Sequence, residues 1–252
     1  MTTPGAPRRT SGPRRSRPSA VREEPPAPPP PPPPTLIVGT DTGVGKTWVT
    51  CAVARALRAL GQKVIAVKPF ETGCREPPGD DEDGYRLAEA TGQAGPRRAL
   101  VRLPGEMAPP IAAEQAGIAL DYEDVVTRIR SLQGPDTLLL VEGTGGVLSP
   151  LTWEDNALDL AHSLEARVIV VAADKRGSIS QTLLTLRALQ GEKLPVLGVV
   201  LKQPAVPDES SRTNAAALAR LAPNVTVVSV PHLDDPTPAA EAVKEVAGWI
   251  LP

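Results

Sequence analysis

The stretch Thr35-Leu36-Ile37-Val38-Gly39-Thr40-Asp41-Thr42-Gly43-Val44-Gly45-Lys46-Thr47-Trp48 decides the fold of this chain: an apolar run, a glycine-rich turn ending in Gly-Lys-Thr, then the start of a helical pattern. A strand, loop and helix in that order turn Gly-Lys-Thr into a phosphate cradle. Backbone N–H groups of Thr42, Gly43, Val44 and Gly45 and of the first helical turn point inward at an anion. Lys46 reaches the β- and γ-phosphates, and the Thr47 hydroxyl is placed for Mg²⁺. The chain is therefore expected to bind a nucleoside triphosphate. Five residues separate Gly39 from Gly45 where the usual pattern has four, and Thr40 stands where it has glycine. That variant spacing points to a subfamily.

Working outward, apolar runs suited to buried parallel strands recur at Thr35–Val38, Lys63–Val67, Thr137–Val141, Arg167–Ala172, Val196–Leu201 and Val225–Val230. Helical patterns separate them at Lys46–Leu60, Asp83–Ala90, Asp121–Ser131, Ala157–Leu164, Ser180–Leu189 and Ser211–Leu221, with a last one near Ala239–Ile250. The alternation predicts an α/β fold of the P-loop NTPase type, a largely parallel sheet with helices on both faces. Neither an internal repeat nor a second domain interrupts residues 35–252. Ligands of such sheets sit beyond the carboxyl ends of the strands, so the loops there should carry the chemistry.

The second strand ends in Val67-Lys68-Pro69-Phe70-Glu71-Thr72-Gly73. A lysine at the carboxyl edge of a buried strand either meets an anion or snorkels to the surface. Of the run Asp80-Asp81-Glu82-Asp83, three carboxylates suit a solvated helix start and one need bind metal. The third strand ends in Glu142-Gly143-Thr144-Gly145-Gly146, a carboxylate where Mg²⁺ is held and glycines that admit a ligand to the backbone. The fourth leads into Asp174-Lys175-Arg176-Gly177-Ser178-Ile179-Ser180, opening a helix whose free N–H groups suit a carboxylate.

Composition narrows the function classes. Only 2% of residues are aromatic, which argues against a base-stacking nucleic-acid platform. Cys51 and Cys74 fit no pairing motif, so a reducing cytoplasm is the expected setting. No apolar stretch approaches the ~20 residues that span a bilayer, and no secretory leader is legible, so a soluble protein is expected. Residues 1–34 form a Pro/Arg-rich extension closing in an unbroken proline run, Pro28 to Pro34, with little to bury; disorder and a stiff polyproline II spacer are expected. Six arginines against Glu23 and Glu24 give that extension +4 of a total of −2, leaving the body near −6. Such a basic arm could touch an anionic surface, or its prolines an SH3-type domain, but an unselected extension is the simpler reading.

Taken together, Gly-Thr-Asp-Thr-x-Val-Gly-Lys-Thr, Val-Lys-Pro-x-x-Thr-Gly and Val-Glu-Gly-x-Gly-Gly, followed by Leu-Ser-Pro-Leu, resemble dethiobiotin synthetase of the biotin pathway from about Thr35 to the C-terminus. The resemblance implies a homodimeric ligase that uses ATP, Mg²⁺ and CO₂ or bicarbonate to close a ureido ring on 7,8-diaminopelargonate. Carried over by position, Thr42, Gly43, Val44, Gly45, Lys46 and Thr47 are the phosphate loop, with Thr47, Asp83 (from its Asp-x-x-x-Leu context) and Glu142 on the metal. Lys46 and Lys68 match the catalytic lysines, Lys68 meeting the carbamate and the γ-phosphate. Thr42, Thr72, Gly143, Thr144, Gly145 and Gly146 line the substrate, and Gly177, Ser178 and Ser180 match the segment that receives its carboxylate across the dimer. Glu142, Lys202, Gln203 and Pro231 fall on the nucleotide side.

Two positions depart from the family pattern. Lys202 stands where an asparagine amide usually reads adenine, and Ser180-Gln181 replaces Asn-His. A partitioning or septum-site ATPase switch shares the expected fold, but it carries an early loop lysine where this chain has Asp41. Its membrane-binding kind ends in a basic helix, whereas residues 239–252 hold only Lys244 as a base. A non-catalytic nucleotide-binding homologue is the other alternative. No nucleic-acid or membrane partner is expected.

Overall fold

In the computed structural model, residues 1–3, 5, 30–233 and 238–251 are described; the expectations for the arginine-rich part of the extension fall on residues 6–29 and lie outside them. Eight strands are found among the described residues: β1 Thr35–Gly39, β2 Lys63–Val67, β3 Phe70–Glu71, β4 Val101–Arg102, β5 Thr137–Gly146, β6 Arg167–Ala173, β7 Val196–Lys202 and β8 Val227–Val230. The helices are α1 Lys46–Ala59, α2 Asp83–Thr91, α3 Pro109–Ala116, α4 Tyr122–Arg130, α5 Ala157–Ser163, α6 Ser178–Gly191, α7 Asn214–Leu221 and α8 Lys244–Ile250.

Six strands form one parallel sheet in the order β2-β5-β1-β6-β7-β8. Both faces are covered, which is why the strands read as unbroken apolar runs. Leu36, Val38, Leu139, Val141, Val168, Val170, Val199 and Leu201 point to one face, where Val125, Ile129, Leu160 and Leu189 of α4, α5 and α6 meet them. Ile37, Leu138, Leu140, Ile169, Val171 and Val200 point to the other, against Val49, Val53 and Leu57 of α1 and Val246 and Ile250 of α8. Successive side chains alternate between faces, so each strand serves both cores. Gly198 makes room for α8: a Cβ there would stand 2.6 Å from the Trp249 ring.

The expected six-stranded sheet is present. Five features differ from the sequence reading. Strand β5 continues to Gly146 through the glycines expected to form a turn, and β8 starts at Val227 rather than Val225. The expected helices at Ser211 and Ala239 open instead as 3₁₀ turns, Glu209–Arg212 and Pro238–Ala240, before α7 and α8 begin. Helix α6 begins at Ser178, two residues earlier than expected, because Gly177 in the left-handed region (φ 90°) ends the turn there. Finally, β3, β4 and α3 form a small parallel pair and a helix that the sequence reading lacked.

Candidate active site

The order places β1 at the middle of the sheet, between β5 and β6, with its loop at the carboxyl edge. Gly43 (φ 72°) and Gly45 (φ 99°) adopt left-handed conformations that other residues resist. A Cβ on Gly39 would come within 2.6 Å of the Asp41 carbonyl and 2.8 Å of Lys46 Nζ, so the loop closes only around glycine. Helix α1 then starts with no side-chain cap from its N-cap residue, as do α6 and also α2, α3, α7 and α8. By contrast, α4 and α5 are capped by Asp121 and Asn156. The first turns of α1 and α6 thus keep donor groups for an anion.

Lys46 is buried, and its Nζ donates to the Asp41 carbonyl at 3.0 Å and to the Gly145 carbonyl at 2.8 Å. Burial and the neighbouring Lys68 charge pull its pKa down to about 8, against the opposing pull of Glu142, Asp83 and Asp41. Thr47 Oγ1 donates to Glu142 Oε1 at 2.7 Å. Lys68 lies at the end of β2, 4% exposed, and does not snorkel: its Nζ donates to Asp83 Oδ2 at 2.8 Å, Glu142 Oε1 at 2.7 Å and the Gly143 carbonyl at 3.4 Å. Burial works against that ammonium, but Glu142 and Asp83 outweigh it and hold its pKa above the ordinary lysine value. For Asp83, burial pushes the carboxyl upward, yet the charge and hydrogen bond of Lys68, with Thr47, leave it below the usual range.

Residues from the start of α1, the end of β2, the middle of β5 and the start of α2 therefore converge on one centre. Glu142 is fully buried, and its Oε2 has no hydrogen-bond partner. An uncompensated carboxylate oxygen there, with Asp83 and the Thr47 hydroxyl beside it, is a hard-oxygen donor set of the kind Mg²⁺ takes. Asp80 and Asp81 face elsewhere, toward Arg98 at 3.6 Å and Arg75 at 2.6 Å on the surface. Another trio, Glu71, Cys74 and Glu82, has ligand atoms within 4.8 Å of one another. Both of its carboxylates are already engaged, Glu71 by backbone N–H groups and Glu82 by Arg102 and Arg98.

The other expected positions fall around this centre. Thr42 is exposed on the loop, with its N–H on Asp41 Oδ1 at 2.7 Å. Thr72 is half-buried after β3, and Gly143 to Gly146 run along the end of β5. The Thr144 hydroxyl turns back to the Phe70 carbonyl at 2.6 Å, so that residue offers its backbone to a ligand. Ser178 is likewise buried and its hydroxyl is not directed outward, whereas Ser180 is exposed. Between the phosphate loop and α6 lies a cavity of about 390 Å³, lined by Thr40, Asp41, Gly146, Leu148, Gln181 and Leu184.

Lys202 is the last residue of β7, directly before Gln203, and pairs with Val230, which Pro231 follows. It is buried: Nζ lies 4.4 Å from the centre of the Trp48 ring and donates to the Gln203 carbonyl at 3.1 Å, with His232 Nδ1 at 3.4 Å. Its stem packs against Gly45, where a Cβ would stand 3.1 Å from Lys202 Cγ. Trp48 was not singled out in the sequence, although a large aromatic directly after Gly-Lys-Thr is the legible signal for a surface beside the phosphate loop.

A family model described as an AAA domain matches residues 35–240. Over 213 residues the chain is 37% identical to an ATP-dependent dethiobiotin synthetase of Anaeromyxobacter dehalogenans (strain 2CP-C), covering 83% of this chain and 95% of that protein. Over 196 residues it is 43% identical to an ATP-dependent dethiobiotin synthetase of Mycobacterium marinum, covering 77% and 85%. Among solved structures, the cell division ATPase MinD of Pyrococcus furiosus superposes with a TM-score of 0.52 at 19% identity, over 86% of this chain and 98% of that one. Cobyrinic acid a,c-diamide synthase of Mycobacterium smegmatis does so with a TM-score of 0.52 at 16% identity, over 86% and 93%. At such identities these two establish the fold alone.

Proposed function

The chain belongs to the ATP-dependent dethiobiotin synthetases, and from that membership we propose how its own residues carry the reaction. The activity is ligation: 7,8-diaminopelargonate and CO₂ become dethiobiotin while ATP becomes ADP and phosphate. One amine of the diamine attacks CO₂ to give a carbamate. A carbamate oxygen then attacks the γ-phosphorus with ADP leaving, and the second amine attacks the carbamoyl carbon of that mixed anhydride with phosphate leaving. No enzyme nucleophile is needed, so the residues serve to bring anions together and to hold charge. A switch ATPase would share the fold but not this kinship.

The observation that carries the reading is the convergence of Lys46, Lys68, Thr47, Asp83 and Glu142 at one edge of the sheet. Lys46, now resting on the Asp41 and Gly145 carbonyls, is in reach of phosphate that enters the loop, and the backbone N–H groups of Gly43 to Thr47 cradle the rest of the triphosphate, with Thr42, whose N–H is held by Asp41, at the loop's rim. Lys68 meets the carbamate and the charge that develops on the transferring phosphoryl group. Thr47, Asp83 and Glu142 would hold Mg²⁺, which when bound neutralises phosphate charge. Gly143 to Gly146 and Thr72 border the substrate, and the uncapped start of α6 at Gly177, with Ser180, receives its carboxylate. The base rests against Lys202, Gln203 and Pro231.

We assign a homodimer to the working enzyme on the strength of Leu148 and Leu184, apolar side chains that are exposed while lining the cavity beside the phosphate loop. A cytoplasmic setting suits the free cysteines Cys51 and Cys74. No helix among the described residues is long and apolar enough to cross a membrane. The Pro/Arg-rich segment before residue 35 is assigned no part in the chemistry. Phosphate release from ATP tests the reading: it should require both diaminopelargonate and bicarbonate, and release that ignores the diamine would favour a nucleotide switch.

A further inference from the structure

Helix α2 begins without a cap of its own. Its N-cap residue, Glu82, is extended and makes no side-chain bond to the helix. The Glu82 carboxylate is spent on guanidiniums, receiving Arg102 at 2.7 and 3.0 Å and Arg98 at 3.3 Å. The first N–H groups of the helix are met instead from twelve residues upstream. The Asp83 N–H donates to Glu71 Oε1, and the Gly84 N–H donates to Glu71 Oε2 at 3.0 Å.

Glu71 is buried and sits on a short, fixed strap. Strand β3 pairs with β4 through Phe70 and Val101 and through Glu71 and Arg102, and the Leu103 N–H donates to the Glu71 carbonyl at 2.8 Å. Pro69 joins this strap directly to Lys68. The helix start is also pressed close, since a Cβ on Gly84 would stand 2.3 Å from the Ala99 nitrogen. One side of the strap therefore carries Lys68, and the other grips the backbone of the residue whose carboxylate faces Lys68.

We propose that Glu71 is a positioning residue for the metal-binding centre: by capping α2 from outside the helix, it fixes the backbone of Asp83 so that its side chain stands with Lys68, Thr47 and Glu142. Capping bonds hold helix ends at the level of single residues, and partners that orient a ligand matter to metal affinity nearly as the ligand does. The inference rests on the reading of Asp83 as a metal carboxylate.

The test is direct Mn²⁺ binding to the full chain with ADP present, followed by the loss of the free-ion electron paramagnetic signal. Glu71→Met, which fills the volume and removes both acceptors, raises the Mn²⁺ Kd about ten-fold. Glu71→Gln, which keeps one acceptor oxygen, raises it less, by roughly two- to three-fold. Asp83→Asn combined with Glu71→Met is no weaker than Asp83→Asn alone, whereas a merely structural Glu71 gives losses that multiply. An unchanged Kd in both Glu71 variants, with Asp83→Asn weakened, overturns the inference and leaves the metal reading standing. An unchanged Kd in Asp83→Asn overturns both. If Glu71→Met does not fold, a Glu71→Gln Kd equal to the wild type's is enough to overturn it.

Discussion

Lys68→Met removes one ammonium and keeps most of its aliphatic volume, so its effect isolates charge. In the protein that ammonium stands 2.7 Å from a fully buried Glu142 and 2.8 Å from Asp83, whose side chain is 32% exposed. Breaking a buried ion pair leaves an uncompensated charge, at about 3–5 kcal/mol. The partial exposure of Asp83 argues for the lower end, about 3 kcal/mol. At roughly 2–4 °C per kcal/mol for a domain of this size, the melting temperature in EDTA should fall by about 6–12 °C. Because Glu142 and Asp83 hold the Lys68 pKa above its ordinary value, the wild-type pair keeps its proton through neutral and mildly alkaline pH, and the loss should not vary across that range. Added Mg²⁺ should recover part of the stability by supplying charge to the same carboxylates. Turnover does not recover, since the lysine also meets the reacting anion: kcat should fall about 10²-fold or more while the KM for ATP moves far less. Thermal melts with and without Mg²⁺, alongside steady-state kinetics, read all three. A variant that melts within 2 °C of the wild type and keeps its kcat would refute the argument.

Lys46, at a pKa of about 8, should take up a proton when ATP binds between pH 8 and the higher pKa it acquires beside phosphate, so affinity declines as pH rises through 8. Calorimetry at pH 8.5 in buffers of different ionisation heat measures that proton, which Lys46→Ala should abolish together with ATP use; equal heats in all buffers would contradict it. Asp83→Asn and Glu142→Gln should each raise the Mg²⁺ concentration needed for half-maximal turnover, whereas Asp80→Asn and Asp81→Asn, out on the surface, should not. The opposite pattern would mean that the metal carboxylate is misassigned. Lys202→Asn replaces a donor-only group by one that both donates and accepts, so selectivity for ATP over GTP and CTP should rise about ten-fold, as one recovered base contact worth 1–3 kcal/mol implies. Strict ATP preference in both proteins would show that the base is read by other groups.

What the sequence made legible follows from distance along the chain. The phosphate loop lies within nine residues, and Lys68 and Glu142 stand at the ends of apolar runs long enough to read as strands. Phe70–Glu71 and Val101–Arg102 are two residues each, too short to show a period. Helix α3 opens on Pro109-Pro110 and shows little amphipathic contrast, so it reads as a loop. The glycines at 143–146 read as a turn because glycine is a poor strand former, yet β1 and the loop draw them into β5. Asp83 could be told from Asp80 and Asp81 only by family resemblance, since its direction is set by Glu71 across the β3 strap. The stacking of Lys202 on Trp48 joins residues 154 positions apart in sequence and depends on β7 ending beside α1.

The central claim is that this chain builds a ureido carbonyl from CO₂ at the expense of ATP. Incubation with 7,8-diaminopelargonate, ¹³C-bicarbonate, ATP and Mg²⁺, with the product weighed by mass spectrometry and phosphate counted in parallel, tests it most directly. The account predicts dethiobiotin carrying the heavy carbon, one phosphate released for each product molecule, and neither in a Lys46→Ala control. Phosphate release without a labelled ring product would contradict it.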